Sequence, residues 1–217
     1  MRYPRAVRRR PVALLFAAAV LGAMFLAPAL SRANIEEQRA RLPPPATECE
    51  DPVEGVWLSH SYYPQHEWYM FTLRVRRVAP GSSDLAGEIE AHAWNSEPSQ
   101  PEPPACHPGL NHWVVFMTAR GHLEADGTIH FGGTSWRVKD TFCGYPPGAG
   151  MYNLDQFSGK IDADLQEFQS VNNDGGEAVN EPTVFRRVGC LEPPPTPHMV
   201  VAPPPFFPSM RTGGCGK

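Results

Sequence analysis

Aromatic side chains beside proline, glycine and histidine are the residues of this sequence best suited to hold a ligand. Flat rings stack on sugars and other small organic molecules, while tyrosine and histidine can also form hydrogen bonds. The segment from Ser59 to Glu67 contains Pro64, so we expect that it does not pair as a central strand and that its rings are free. The predicted ligand-binding residues are Tyr62, Tyr63, His66 and Trp68, with Tyr145 and Tyr152 opposite them.

Histidines are numerous, but their spacing does not indicate a metal site. Seven lie in the central part of the chain: His60, His66, His92, His107, His112, His122 and His130. None forms the helical i, i+4 pair with an intervening acid that zinc peptidases use. His122 and His130 could face each other across a hairpin, but a zinc ion needs three or four ligands. The sequence therefore predicts no metal and no cofactor.

Other catalytic and ion-binding patterns are incomplete. Cys106 lies close to His107 and His112, but a thiol in an oxidising compartment is expected to form a disulfide, and no Gly-x-Ser-x-Gly elbow occurs. The oxygen-rich segment 172–177 has Thr183 at the twelfth position of a would-be calcium loop, which favours a turn. A glycan hydrolase stays open as an alternative, with a carboxylate pair drawn from Glu88, Glu90, Asp155, Asp162 and Asp164.

The N-terminal segment has the pattern of an export signal. Residues 1–33 contain six arginines and no acid, and Val12 to Leu30 is an apolar run. Small residues at Ser31 and Ala33 predict cleavage after Ala33, so that residues 1–33 form a signal peptide. The alternative is an uncleaved anchor, because the run approaches the roughly 20 residues that span a bilayer. Either way we expect export to the periplasm, the cell surface or the extracellular space.

Charge and cysteine content agree with export. Removing six of the 19 basic residues leaves 13 against 23 acidic ones, a net charge of about −10, which argues against a nucleic-acid partner. All five cysteines follow the signal, where disulfides are expected. We predict Cys49–Cys190, which would bracket the domain, and Cys106–Cys143, which would join two loops. Cys215 is left over and could bond a partner.

The chain between the outer cysteines is predicted to be one mainly β domain, residues 49–190. Residues 34–48, whose pattern fits a short helix or a spacer, are taken as a linker, and residues 191–217 as a disordered Pro/Gly-rich tail. Apolar residues alternate in short runs separated by turn residues, and no long helical period occurs. We therefore expect a single domain that is either an antiparallel closed barrel or a two-sheet sandwich, with Trp57, Trp113 and Trp136 in its core.

The start of this domain resembles a known family of barrels. The opening Gly55-Val56-Trp57, a long second strand and then Leu85-Ala86-Gly87-Glu88-Ile89 resemble the start of a calycin, the lipocalin and avidin type of up-and-down barrel. The resemblance covers about 40 residues and implies a meander of neighbouring strands.

These observations favour a noncatalytic module that binds a small molecule or a glycan at the cell envelope or surface. Two alternatives remain: the secreted glycan hydrolase, and a structural envelope protein tethered through its proline-rich tail and Cys215. We expect contact with a membrane only during export or through an uncleaved anchor.

Overall fold

The computed structural model describes residues 34–46, 48–63, 67–148, 150–176 and 178–191. It confirms a mainly β fold, and of the two predicted architectures it has the closed antiparallel barrel. The predicted signal peptide, residues 192–217 with Cys215, and His66 lie outside the described residues. The eight strands are β1 Gly55–Tyr63, β2 Glu67–Arg77, β3 Asp84–Asn95, β4 His112–Leu123, β5 Thr128–Cys143, β6 Gln156–Asp162, β7 Glu167–Asn173 and β8 Val179–Gly189.

Each strand pairs with its neighbour in sequence, and β8 returns to β1 to close the barrel. The up-and-down order places alternate connections at opposite ends. We call the end that carries the connections after β1, β3, β5 and β7 the mouth. The end that carries the connections after β2, β4 and β6 is the base. The mouth connections include the two long segments 96–111 and 144–155.

Alternation along the strands fills the base half of the barrel with apolar side chains. On β2, Phe71, Leu73 and Val75 point inward, as the sequence pattern predicts. Trp57 closes the base: its indole Nε1 donates to the carbonyl of Val53 at 3.1 Å, and the guanidinium of Arg187 lies 5.5 Å from the ring centroid. The base half therefore has a packed interior, and any ligand space must lie nearer the mouth.

One sequence expectation about strand pairing is wrong. Residues 59–63 are in β1 and pair with β2 as far as Tyr63 opposite Glu67, so they are not an unpaired loop. Pro64 lies outside the described residues. Gly121 lies within β4, which is continuous through it. A side chain at Gly121 would collide with the carbonyl of His130 and with Phe131, so this glycine permits close contact between β4 and β5.

The segment predicted to be a linker contains a helix that packs on the barrel. Residues 34–41 form this helix, α1, which ends shortly before Pro43. β8 pairs with β1 over only three residues, Val56 to Leu58, and α1 lies along the rest of β8. The buried Gln38 amide accepts from the N–H of Val184 at 2.9 Å and donates to the carbonyl of Pro182 at 2.9 Å. The helix therefore supplies part of the hydrogen bonding that β1 does not.

Replacing Gln38 with alanine should lower the free energy of unfolding by about 2 kcal/mol, because it leaves the N–H of Val184 and the carbonyl of Pro182 without their partner. Urea unfolding measures this loss. Glu37→Ala is the matched control: its carboxylate is exposed and pairs only with Arg41 at 3.4 Å, so we expect a change within about 0.5 kcal/mol. Equal effects of the two variants would show that α1 does not contribute through Gln38.

Two disulfides hold this structure together. Cys49 is bonded to Cys190 and Cys106 to Cys143, the pairing expected from the sequence. Such bonds are typical of proteins that fold in an oxidising compartment. Within the described ranges, no helix has the length and apolar character required to cross a bilayer.

Candidate functional site

A cavity of about 390 Å³ opens at the mouth of the barrel. Its size falls within the usual range for small-molecule sites, about 300 to 1,000 Å³. The inward faces of β2, β4 and β7 form its walls, and the segment 144–155 lies across it. The side chains that matter for its chemistry are Tyr63, Glu67, Tyr69, Trp113, Tyr145, Tyr152, Asp155, Asn172 and Asp174.

The aromatic rings of the cavity meet edge to face. Tyr63 and Tyr69 have centroids 5.0 Å apart at 64°, and Tyr69 and Trp113 are 6.1 Å apart at 77°. Trp113 and Tyr152 are 5.7 Å apart at 88°. Contacts of this kind fix the orientation of each ring. Four rings from β1, β2, β4 and the 144–155 segment thus make a preformed aromatic wall.

One hydroxyl group in this wall has no hydrogen-bond partner among the described residues. Tyr63 is only 6% exposed, and its Oη makes no hydrogen bond of normal geometry. Asn172 and Thr183 are close enough to influence its pKa, which burial raises above the ordinary value for tyrosine. Ser59 and Ser61, on the same inward face of β1, also have buried hydroxyls without a partner. Buried polar groups are normally paired, so the Tyr63 hydroxyl, in a residue that lines the cavity, is the group that a ligand would pair after a small turn of the ring.

Asp155 is the buried acid of the site. Tyr152 donates its hydroxyl proton to Oδ2 at 2.6 Å, and the Asn172 amide donates to Oδ1 at 2.7 Å. The orientation of Asn172 is set by its own Oδ1, which accepts from the N–H of Gln156 at 3.1 Å. Burial raises the pKa of Asp155 to about 6, although the two donated hydrogen bonds oppose the rise. At neutral pH this carboxyl group is therefore ionised, and no Lys or Arg among the described residues forms an ion pair with it.

The ionisable side chains described in the cavity lining are acids and tyrosines. Glu67 and Asp174 line it together with Asp155, and none of the described lining residues is Lys, Arg or His. Burial raises the pKa of Tyr69 and Tyr152 well above that of free tyrosine, so both keep their protons. Tyr69 donates to Oε2 of Glu67 at 2.9 Å. The described part of the lining therefore offers carboxylate acceptors and neutral hydroxyls, and it contains no Lys, Arg or His.

The structure brings three of the six predicted ligand-binding residues to this cavity: Tyr63, Tyr145 and Tyr152. Tyr145 is 85% exposed and stands at the rim. Tyr62 and Trp68 do not line it, because strand alternation turns them to the outside of the barrel. His66 lies outside the described residues.

Trp68 belongs to a small second core on the outer surface, beneath the segment 96–111. It is fully buried against Trp94 and Leu110, and its Nε1 donates to the carbonyl of Glu97 at 3.1 Å. Beside this core the Nε2 atoms of His92 and His112 are 2.5 Å apart. Burial, reinforced by His112, lowers the pKa of His92 to about 4, so His92 is neutral at pH 7.

The structure does not bring the other candidate residues, the carboxylates proposed for hydrolysis and the histidines, together in one site. Of the five carboxylates proposed for hydrolysis, Asp155 alone lines the cavity. Glu90 is on the outer face, where it pairs with Arg74 and Lys139, and Asp162 caps the hairpin at the base. No group of three or more His, Cys, Asp or Glu side chains suited to a metal ion occurs in the described part of the chain.

A larger depression, about 1,030 Å³, lies outside the barrel where β5 separates from β6. It is a wide groove lined by Arg120, His122, His130 and Trp136 among others. It is more open than the mouth cavity and, within the described residues, contains no buried unpaired hydroxyl. We therefore take the mouth cavity as the candidate site.

Five residues of the site were not among the candidate site residues of the sequence: Glu67, Tyr69, Trp113, Asn172 and Asp174. Tyr69 continues the inward alternation of Phe71, Leu73 and Val75 along β2, and extending that alternation by two more residues places Glu67 inside as well. On β7, Asn172 continues the inward series of Phe168 and Ser170. A polar residue that ends a row of inward-facing residues on a strand is the sequence feature from which these positions could have been predicted.

Comparisons with protein-family models, with curated proteins and with solved structures found no match.

Proposed function

We propose that this protein is a noncatalytic binding module, exported from the cytoplasm, that holds one small polar organic molecule in the mouth of its barrel. The observation that carries the proposal is the cavity itself, with its wall of four aromatic rings and, behind that wall, a buried Tyr63 hydroxyl that makes no hydrogen bond of normal geometry among the described residues. A ligand that supplies its hydrogen bond would remove the cost of an unpaired buried group.

The surrounding architecture supports binding. The rings are fixed by edge-to-face contacts, and the barrel strands hold them in place, so little ordering is needed when a ligand enters. The segment 144–155 contributes the exposed Tyr145 and Met151 at the rim. It begins just after Cys143, whose disulfide to Cys106 anchors the end of β5.

The test is a titration of the isotope-labelled exported protein with cationic, neutral and anionic fragments, followed by NMR. We expect some fragments to shift the resonances of mouth residues, and Tyr63→Phe to weaken their binding about tenfold by removing one hydrogen bond. The melting temperature of this variant should stay the same or rise, since an unpaired buried hydroxyl is lost.

Tyr62→Phe is the matched control, because it removes the same group one residue away on the outer face. It should leave fragment affinity unchanged. The proposal is wrong if no fragment perturbs the mouth, or if Tyr63→Phe binds every fragment as the unaltered protein does.

A further inference from the structure

We infer that the ligand of the mouth cavity is a small organic cation, an ammonium compound held between the aromatic rings and the carboxylate of Asp155. This inference rests on the proposed function and adds the chemical class of the ligand. A cation is attracted to the faces of aromatic rings, and rings set at right angles around a pocket are a recognised way to bind an ammonium group.

The rings of the mouth have this arrangement. Tyr63, Tyr69, Trp113 and Tyr152 follow one another with interplanar angles of 64°, 77° and 88°. These rings contact one another edge to face and line one wall of the cavity, so a cation in the cavity lies against the ring surfaces that these contacts leave uncovered. Tryptophan is the strongest of the aromatic partners for a cation.

The acidic side chains of the cavity also limit the class of ligand that can bind. Asp155 and Asp174 line the cavity, and none of the described lining residues is Lys, Arg or His. An anionic ligand would meet only like charge there. A neutral sugar would satisfy Tyr63 but would leave the buried Asp155 carboxylate without a counterion. A cation compensates that carboxylate, which is otherwise costly to keep ionised in a buried position.

The geometry of Asp155 leaves it able to act as this counterion. Its oxygens accept from Tyr152 and Asn172 and interact with its own backbone N–H, and because a carboxylate can accept about four hydrogen bonds, one position remains for a ligand. The hydroxyl of Tyr63 can additionally accept from a primary ammonium group. A quaternary ammonium group, which has no N–H, would rely on the rings and on charge alone.

The experiment is calorimetric titration of the exported protein with choline, ethanolamine, 3,3-dimethylbutan-1-ol, glucose and acetate. 3,3-Dimethylbutan-1-ol has the shape of choline without its charge, so the pair isolates the contribution of the cation. We expect at least tenfold tighter binding of choline or ethanolamine than of the neutral isostere, and no binding of acetate. Choline and ethanolamine together distinguish ring recognition from hydrogen bonding to a primary ammonium.

Asp155→Asn should weaken binding of the preferred cation at least tenfold and leave the isostere unaffected, while Asp162→Asn, at the base, should change neither. A melting curve shows that each variant is folded. Tighter binding of the isostere or of glucose would overturn the cation inference and leave the proposed function standing. Cation binding that is unchanged in Asp155→Asn would also overturn it. If no probe binds and no fragment perturbs the mouth, both proposals are wrong.

Discussion

Replacing Cys49 and Cys190 together with serine should lower the free energy of unfolding by about 5 kcal/mol. The bond closes a loop with a sequence separation of 141 residues, and the entropy that it removes from the unfolded chain corresponds to about that value. It also joins the segment after α1 to the end of β8, next to the shortest strand pairing that closes the barrel. Urea unfolding of the double variant under nonreducing conditions gives the measurement.

We also predict which part of the barrel opens first when the Cys49–Cys190 bond is lost. β1 and β8 share three pairs, whereas β2 and β3 share eleven, so loss of the bond should first increase hydrogen exchange in β8 and α1. The comparison variant removes Cys106 and Cys143, whose separation of 37 residues corresponds to a loss of about 4 kcal/mol, and it should expose the 96–111 segment instead. Unchanged stability in the first variant, or faster exchange spread evenly over all strands, would contradict this view of barrel closure.

Replacing Asp155 with asparagine should raise the free energy of unfolding by up to about 3 kcal/mol above pH 6. The buried carboxyl has its pKa raised from 3.8 to about 6, and each pKa unit corresponds to about 1.4 kcal/mol. Because the folded state holds the proton more tightly, the stabilisation is complete below pH 4 and is lost as pH rises through 6. Asparagine keeps the acceptor for Asn172 and offers an N–H to the Tyr152 oxygen, without the charge.

Unfolding in urea at pH 4 and pH 7.5 separates this effect from others. The variant should equal the original protein at pH 4 and exceed it at pH 7.5. The titratable groups around Asp155 are Tyr63, Tyr69, Tyr152 and Asp174, and all are retained in both proteins. His92 favours stability at higher pH, since its lowered pKa disfavours its protonation in the folded state, but it contributes equally to both proteins. A gain of the same size at both pH values would show that the carboxyl is not the titrating group.

The two variants at the mouth, Asp155→Asn and Tyr63→Phe, therefore distinguish effects on stability from effects on ligand binding. A carboxylate that costs stability at neutral pH, together with a buried hydroxyl that lacks a partner, is expected where a site is arranged for something other than folding. Asp155→Asn should yield a more stable protein that binds the ammonium ligand less tightly. This opposite movement of stability and affinity would not follow from a purely structural role.

The alternating strands and their meander order were predictable because they depend on local periodicity, whereas the sequence did not distinguish a closed barrel from a two-sheet sandwich. Along β2 the alternation of Tyr69, Phe71, Leu73 and Val75 has a period of two, and burying one face of such a strand determines which residues point inward. Turn residues at the strand ends and short connections favour pairing of neighbours in sequence, which produces a meander. The disulfide pairs followed from where the cysteines fall relative to the predicted strands and loops.

The binding site was decided by the tertiary structure, because it depends on which face of each strand meets which neighbour. Tyr62 and Tyr63 are adjacent in sequence, yet because strand residues alternate between faces, Tyr62 packs against the small second core on the outer surface and Tyr63 lines the cavity. Asp155 and Asn172 are 17 positions apart and meet only when β6 pairs with β7. The helix α1 is also short and has few apolar residues, so its sequence pattern did not identify it as part of the domain. Its stability comes from the hydrogen-bonding groups of β8, which are available to Gln38 only once the barrel has closed.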